Sequence, residues 1–162
     1  MQRVIVHITR EFKNIICPRR KLIKLVRVIC NWFGLVSATV SIAIVGNKHI
    51  RKLNDKFLSH KNVTDCLAFD LSDGKTGHRL LELVVNGEKA KSEAAKRGHC
   101  AQAELALYIT HGLLHNLGFD DLLPKKAKQM HRLEDEILQQ QGFGLVYDNE
   151  RKIVPDKRRQ KC

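Results

Sequence analysis

The residues of this chain best suited to chemistry are His111, His115 and Asp121, in the stretch His111-Gly-Leu-Leu-His115-Asn-Leu-Gly118-Phe-Asp-Asp121. Two histidines four positions apart project from one face of a helix, one turn above the other. Gly118 can end that helix by taking a left-handed conformation. The chain then turns, and Asp121 can swing back toward a metal held by the two imidazoles. Two nitrogens and one carboxylate leave a fourth position for water, which is the arrangement of a catalytic zinc site rather than a closed structural one. The plainer reading is an amphipathic helix with two incidental histidines and a capping glycine. The ordered spacing of the glycine and of the third ligand favours the metal. Some zinc proteases share this spacing, but there a glutamate follows the first histidine and activates the bound water. Here Gly112 stands in that place and offers no proton acceptor, which argues against a peptidase.

The elements that must position these residues follow from periodicity. The 162 residues suit one domain with a real core. Residues 3–9 read as a first strand. Pro18 stands at the first turn of a helix whose buried stripe is Leu22, Leu25, Val26, Ile29 and Phe33, with Trp32 beside it and also read as core, and Gly34 closes it. Residues 38–45 alternate as a second strand. Asn47 is placed to cap a short helix burying Ile50, Leu53 and Phe57. A polar loop from Ser59 to Asn62 leads to a third strand over 65–71, with Leu67, Phe69 and Leu71 alternating. After a turn-rich stretch, Leu80 to Val85 form a fourth strand. Asn86 or Gly87 opens a charged helix through about Arg97. Gly98 separates it from the histidine helix, residues 101–117, and Pro124 starts a last helix burying Met130, Leu133 and Ile137. Strands in the first half and helices in the second favour an α+β fold, a single compact domain over residues 1–150 with about five helices on a four-stranded sheet. Residues 151–162 carry six Lys or Arg against one Asp and read as a basic tail.

Composition narrows the partners. Hydrophobic content of 43% and charged content of 28% are those of a soluble globular protein. A formal charge of +12 predicts attraction to polyanions, nucleic acid first and an anionic membrane surface second. The largely apolar segment Val28–Val45 approaches the minimum length of a spanning helix, but Asn31, Gly34 and the alternation that follows divide it into a helix end and a strand, so no membrane span is expected. The N-terminus is too short in apolar run for a signal peptide. Five widely spaced cysteines without a Cys-x-x-Cys suit buried thiols in a reducing, cytoplasmic compartment. Cys66 belongs to a strand and reads as packed rather than nucleophilic. His7, His49, His78, His99 and His131 read as surface or packing residues.

The stretch His111 to Asp121 resembles the signature of the YbeY family of metal-dependent endoribonucleases, His-Gly-x-x-His-x-x-Gly-(Tyr or Phe)-Asp-His. Leu53-Asn54 through Thr64-Asp65-Cys66-Leu67-Ala68-Phe69 resembles the family's Leu-Asn-…-Thr-(Asp or Asn)-Val-Leu-Ser-Phe block, and Ala103-Glu104-Leu105 the run into its metal helix. The similarity covers about residues 38 to 140. It implies a compact α+β fold with a small mixed sheet, one zinc ion, and single-stranded RNA in a basic cleft. It also implies work on ribosomal RNA with the small ribosomal subunit, in rRNA maturation and ribosome quality control. Four features, covering five positions, depart from the pattern. Asp121 replaces the usual third histidine; aspartate is an acceptable zinc ligand, and its hardness opens the site to Mn or Fe. Leu58 replaces an arginine of the active cleft and cannot contact phosphate, which leaves His60 and Lys61 nearby as candidates to supply charge in what is otherwise a polar loop. Val63 replaces a proline, and Leu81-Glu82 replaces Gly-Asp. These departures bear on catalytic rate more than on fold.

The resulting expectation is hydrolysis of RNA phosphodiesters, with His111, His115 and Asp121 as metal ligands and Asp120 orienting a ligand histidine from behind, unless it merely caps a turn. No residue is assigned as general base. The alternative is a protein of the same fold that binds RNA or the ribosome with little or no catalysis. The oligomeric state is left open.

Overall fold

Ser37 to Val45 alternates small polar with branched apolar side chains, a pattern that buries one face of a strand completely. In the computed structural model, which describes residues 3–144 and 146, this segment is the inner strand β2 (Ser37–Val45) of a four-stranded sheet. The other strands are β1 (Arg3–Arg10), β3 (Cys66–Asp70) and β4 (Arg79–Asn86), in the spatial order β1-β2-β4-β3. β1 and β4 run parallel to β2, and β3 closes one edge antiparallel to β4 with Cys66 opposite Val85. The sheet is therefore mixed, and the fold is a single compact α+β domain with five helices among the described residues.

Helix α1 (Arg19–Trp32) joins the two parallel strands and buries Leu22, Leu25, Val26 and Ile29. Helix α2 (Asn47–Leu58) lies on the opposite sheet face, where Ile50 packs with Val45, Leu67 and Val84. Helices α3 (Gly87–Arg97), α4 (Ala101–Asn116) and α5 (Pro124–Gln140) complete the chain. α4 is enclosed on nearly every side, with Ala103 to Thr110 and Gly112 to Leu114 all buried. It touches α1, α3, α5 and strands β3 and β4. A helix apolar all round belongs in the centre of a core, so α4 is the axis of the domain rather than an amphipathic cover. The segment Val28–Val45 is the end of α1 and β2, and no described helix is long and apolar enough to cross a membrane.

Several local expectations are corrected. Pro18 is the residue before α1 rather than its first turn. Asn47 opens α2 without capping it: its backbone N–H donates to Glu88 Oε2 at 2.8 Å, a carboxylate 41 positions away, and its side-chain oxygen accepts from Asn86. Phe57 is 55% exposed, resting edge-on against Phe69, while Asn54 takes the buried position and donates to the Asn62 carbonyl. Trp32 is 41% exposed, because Ile29 and Cys30 already fill the core side of that turn. Leu71 lies beyond β3 and is exposed. Cys30 is buried and Cys17 and Cys66 partly so; all three are free thiols. Burial pushes the Cys30 thiol up to about 11 and that of Cys66 higher still, so neither is poised as a nucleophile. The basic tail at 151–162 lies outside the described residues.

One contact fixes the depth at which α4 sits. A Cβ built on Gly112 would stand 2.4 Å from Cys66 Sγ and 3.1 Å from Leu83 Cδ2. No side chain fits between α4 and the sheet there. Gly112→Ala is expected to cost about 1–3 kcal/mol by overpacking, and Cys66→Ala introduced with it should recover most of that loss. Denaturant unfolding of the single and double variants checks this; strictly additive effects would show that the contact does not set the packing.

Candidate metal centre

The stripe His111–His115 is the one side of the last turns of α4 that opens outward. His111 keeps 14% of its side-chain surface and His115 32%. After them the helix closes in a Schellman turn: Gly118 N–H donates to the His115 carbonyl at 3.0 Å and Phe119 N–H to that of Leu114 at 3.1 Å. Gly118 takes φ +96°, a conformation that strains any other residue. This reversal turns the chain back over the helix end and brings Asp121 to the histidines. Asp121 Oδ2 lies 3.7 Å from His111 Nε2, and its Oδ1 lies 3.7 Å from His115 Nε2. The two Nε2 atoms are 3.0 Å apart. Ligand atoms of the three residues all lie within 4.8 Å of one another.

The tautomers follow from the partners on the far side of each ring. His115 Nδ1 lies 3.0 Å from the Phe119 carbonyl oxygen, which can only accept, so Nδ1 carries the proton. His111 Nδ1 lies 2.7 Å from Glu134 Oε1, and a carboxylate there likewise requires a donor. Neutral rings held this way turn bare Nε2 lone pairs toward each other and toward the Asp121 carboxylate. Lone pairs at that separation repel unless a cation lies between them. Burial lowers the proton affinity of His111, but the Glu134 hydrogen bond and the charges of Glu134, Asp65 and Asp121 outweigh it and leave its pKa raised. Glu134 is fully buried, and its Oε2 has no hydrogen-bond partner among the described residues. A buried carboxylate bonded to a single imidazole is costly unless that imidazole bears positive charge. The donor set, the tautomers and the orphaned carboxylate oxygen all fit a divalent cation with two nitrogen ligands and one oxygen ligand.

The predicted residues are placed unequally. His111, His115 and Asp121 are brought together. Asp120 bonds neither ring: its Oδ2 pairs with Lys126 Nζ at 2.7 Å, and its Oδ1 accepts from Leu122 N–H. The orienting role assigned to Asp120 is thus filled by Glu134 for His111 and by the Phe119 carbonyl for His115. Glu134 escaped the sequence reading because it lies 23 positions from its histidine and looks like one more charge on α5. The signal that points to it is its place one position beyond Leu133, on the face that carries Met130 and Ile137 inward.

The three residues lie in a cleft of about 460 Å³. Its opposite wall is the run Thr64–Ala68 at the start of β3, with Leu58 and His131 at its margins. His131 therefore borders the site, outside the cluster of three. Asp65 is a further cleft residue that sequence reading did not single out; its Oδ1 accepts from Cys66 N–H at 2.8 Å and from the Thr64 hydroxyl. His60 and Lys61 are exposed and do not line the cleft.

Fold and site together define an α+β domain that carries a two-histidine, one-carboxylate cation cluster at the end of its central helix. A family model described as "Endoribonuclease YbeY" matches residues 7–142, and the chain belongs to that family. Curated relatives bearing the same name include proteins of Myxococcus xanthus, 37% identical over 67% of this chain and 38% of that protein, and of Carboxydothermus hydrogenoformans, 36% identical over 66% and 75%. A Listeria monocytogenes relative is 27% identical over 82% of this chain and 92% of its own length. The chain spans under two thirds of the Myxococcus protein and 58% of an Anaeromyxobacter one. A solution structure from Thermotoga maritima matches with a TM-score of 0.57 at 18% identity, covering 94% of this chain and 100% of that one, a likeness of fold.

Replacing Glu134 with Gln is expected to lower affinity for a divalent metal about 10- to 100-fold, the usual effect of losing a partner behind a ligand histidine. Asp120→Asn should leave affinity unchanged. Competition with a chromophoric chelator measures both, and equal effects from the two changes would contradict the assignment.

Proposed function

We propose that this chain is a metal-dependent endoribonuclease that hydrolyses phosphodiester bonds in single-stranded RNA, with zinc as the ion and ribosomal RNA as the substrate class. The observation that carries this reading is the convergence of His111 Nε2, His115 Nε2 and the Asp121 carboxylate, each ring already committed at Nδ1. Family membership supports the substrate class, and the charge of +12 supports a polyanion. Action in rRNA maturation and ribosome quality control, on the small subunit and in the cytoplasm, is the cellular setting that goes with it.

In this mechanism His111, His115 and Asp121 hold the ion. When bound, it supplies Lewis acidity toward a phosphoryl oxygen and a water acidic enough to attack near neutral pH. Glu134 and the Phe119 carbonyl keep both imidazoles in the liganding tautomer. Thr64 to Ala68 form the wall against which the nucleotide rests, and Gly112, which has no room for a side chain, lets that wall stand close beside His111. The absence of a carboxylate at position 112 and the closed packing there disfavour peptide hydrolysis by the protease route.

A second reading, RNA binding with little turnover, is favoured by one observation. Leu58 borders the cleft where an arginine would meet phosphate, and no lysine or arginine is among the lining residues. The two readings separate in one assay. Wild-type protein and His115→Ala are incubated with a single-stranded RNA, with and without chelator. Cleavage by the wild type alone, lost with chelator and restored by zinc, is the expected result. Cleavage that survives metal removal contradicts the mechanism, and retardation without cleavage supports the binder. In the enzyme reading Leu58→Arg should raise turnover several-fold by adding a phosphate contact.

A further inference from the structure

The cleft is lined by three histidines and two carboxylates, Asp65 and Asp121, and by no lysine or arginine among the described residues. Most of the affinity of any protein for a nucleic acid comes from lysine and arginine at the phosphates. The positive charge of this chain must therefore meet the polymer beside the cleft rather than within it.

Helix α2 ends at the cleft, since its last residue, Leu58, borders it. Lys48, Lys52 and Lys56 recur at every fourth position of this helix, and all three are exposed. At about 1.5 Å of rise per residue they stand about 6 Å apart along the axis. Arg51 is exposed beside them, and Asp55 is the one acidic residue of the helix. None of these four cations forms an ion pair among the described residues, whereas Arg79, Lys96 and Lys126 are paired with Asp70, Glu93 and Asp120. Beyond the helix end, Lys61 continues the exposed positive charge. The other face of α2 is committed to the sheet through Ile50 and Leu53. Phe57 and Leu58 leave some apolar surface exposed at the cleft end of the helix, but its lysine face presents none along its length, so a soluble polyphosphate fits this surface better than a bilayer interface, which needs a continuous apolar face to bury. Helix α1 offers a stripe of similar charge, Arg20, Lys24 and Arg27, but contributes no residue to the cleft.

We propose that Lys48, Lys52 and Lys56 form a phosphate track that holds the backbone of single-stranded RNA as it enters the cleft past Leu58. The inference rests on the RNA reading above and adds where the strand runs. It assigns affinity to the outward face of α2 and leaves the reacting bond to the histidine cluster.

The test compares Lys48→Gln/Lys52→Gln/Lys56→Gln with Arg20→Gln/Lys24→Gln/Arg27→Gln, two variants of equal charge change. RNA affinity is measured over a range of salt, with thermal melting and metal affinity as checks on integrity. Loss of three phosphate contacts to a single strand should shrink the slope of log affinity against log salt by about 2. The α2 variant is expected to show that loss, with KM for a long RNA raised and turnover of a trinucleotide unchanged, while the α1 variant keeps the wild-type slope. An unchanged slope in the α2 variant, or an equal loss in both, overturns the track while the RNA reading stands. Wild-type protein that ignores RNA but binds anionic phospholipid vesicles overturns both.

Discussion

Helix α4 lies closer to strand β3 at Gly112 than any side chain at that position would allow, and the site depends on that depth. The missing Cβ lets Cys66 Sγ and Leu83 occupy the space against the helix. His111, the neighbour of Gly112, thereby faces the strand start that carries Asp65, and both line one cleft. Raising α4 by the thickness of a methyl group would move the histidines away from that wall. The same glycine stands where a protease of similar spacing would carry its glutamate, so the packing of this domain and that chemistry exclude each other.

The second determinant is electrostatic. A fully buried glutamate behind His111, two imidazoles protonated at Nδ1 and a partly exposed aspartate before their Nε2 atoms form an arrangement that positive charge would stabilise. Each hydrogen bond behind a histidine fixes which nitrogen is available, so the atoms turned toward Asp121 are chosen by residues on the far side of each ring. Asp121 depends on this only indirectly. It reaches the cluster because Gly118 reverses the chain within one turn, and Phe119, whose carbonyl holds His115, is itself anchored edge-on against Phe33, the residue after α1, at 5.4 Å. The core thus reaches the site through one aromatic contact and one carbonyl.

What was legible in the sequence follows the range of the forces involved. Periodicity located each described strand and helix to within a few residues, because burial of one face is a local pattern. The Gly118 turn was legible for the same reason, since a left-handed cap is written in a single residue. Asn86 capped α3 as its type and place suggested, accepting from Lys89 N–H. Partners set by tertiary contact were not legible. Glu88, just beyond the neighbouring strand β4, accepts from the first residue of α2, Glu134 rather than Asp120 is bonded to His111, and His131 borders a cleft although nothing in its neighbourhood marks it. Phe57 and Trp32 were misplaced because an apolar residue at a helical interval is buried only if another element covers it, which the interval itself does not say.

The most direct test of the account is X-ray absorption on the zinc-loaded protein, wild type beside Asp121→Asn and His111→Ala. The account predicts a first shell of two imidazole nitrogens at about 2.0 Å and one carboxylate oxygen, completed by water. One imidazole is lost in His111→Ala, and the oxygen shell is altered in Asp121→Asn. A sphere containing sulfur, or one unchanged by either substitution, would place the metal elsewhere and contradict the assignment of this cluster.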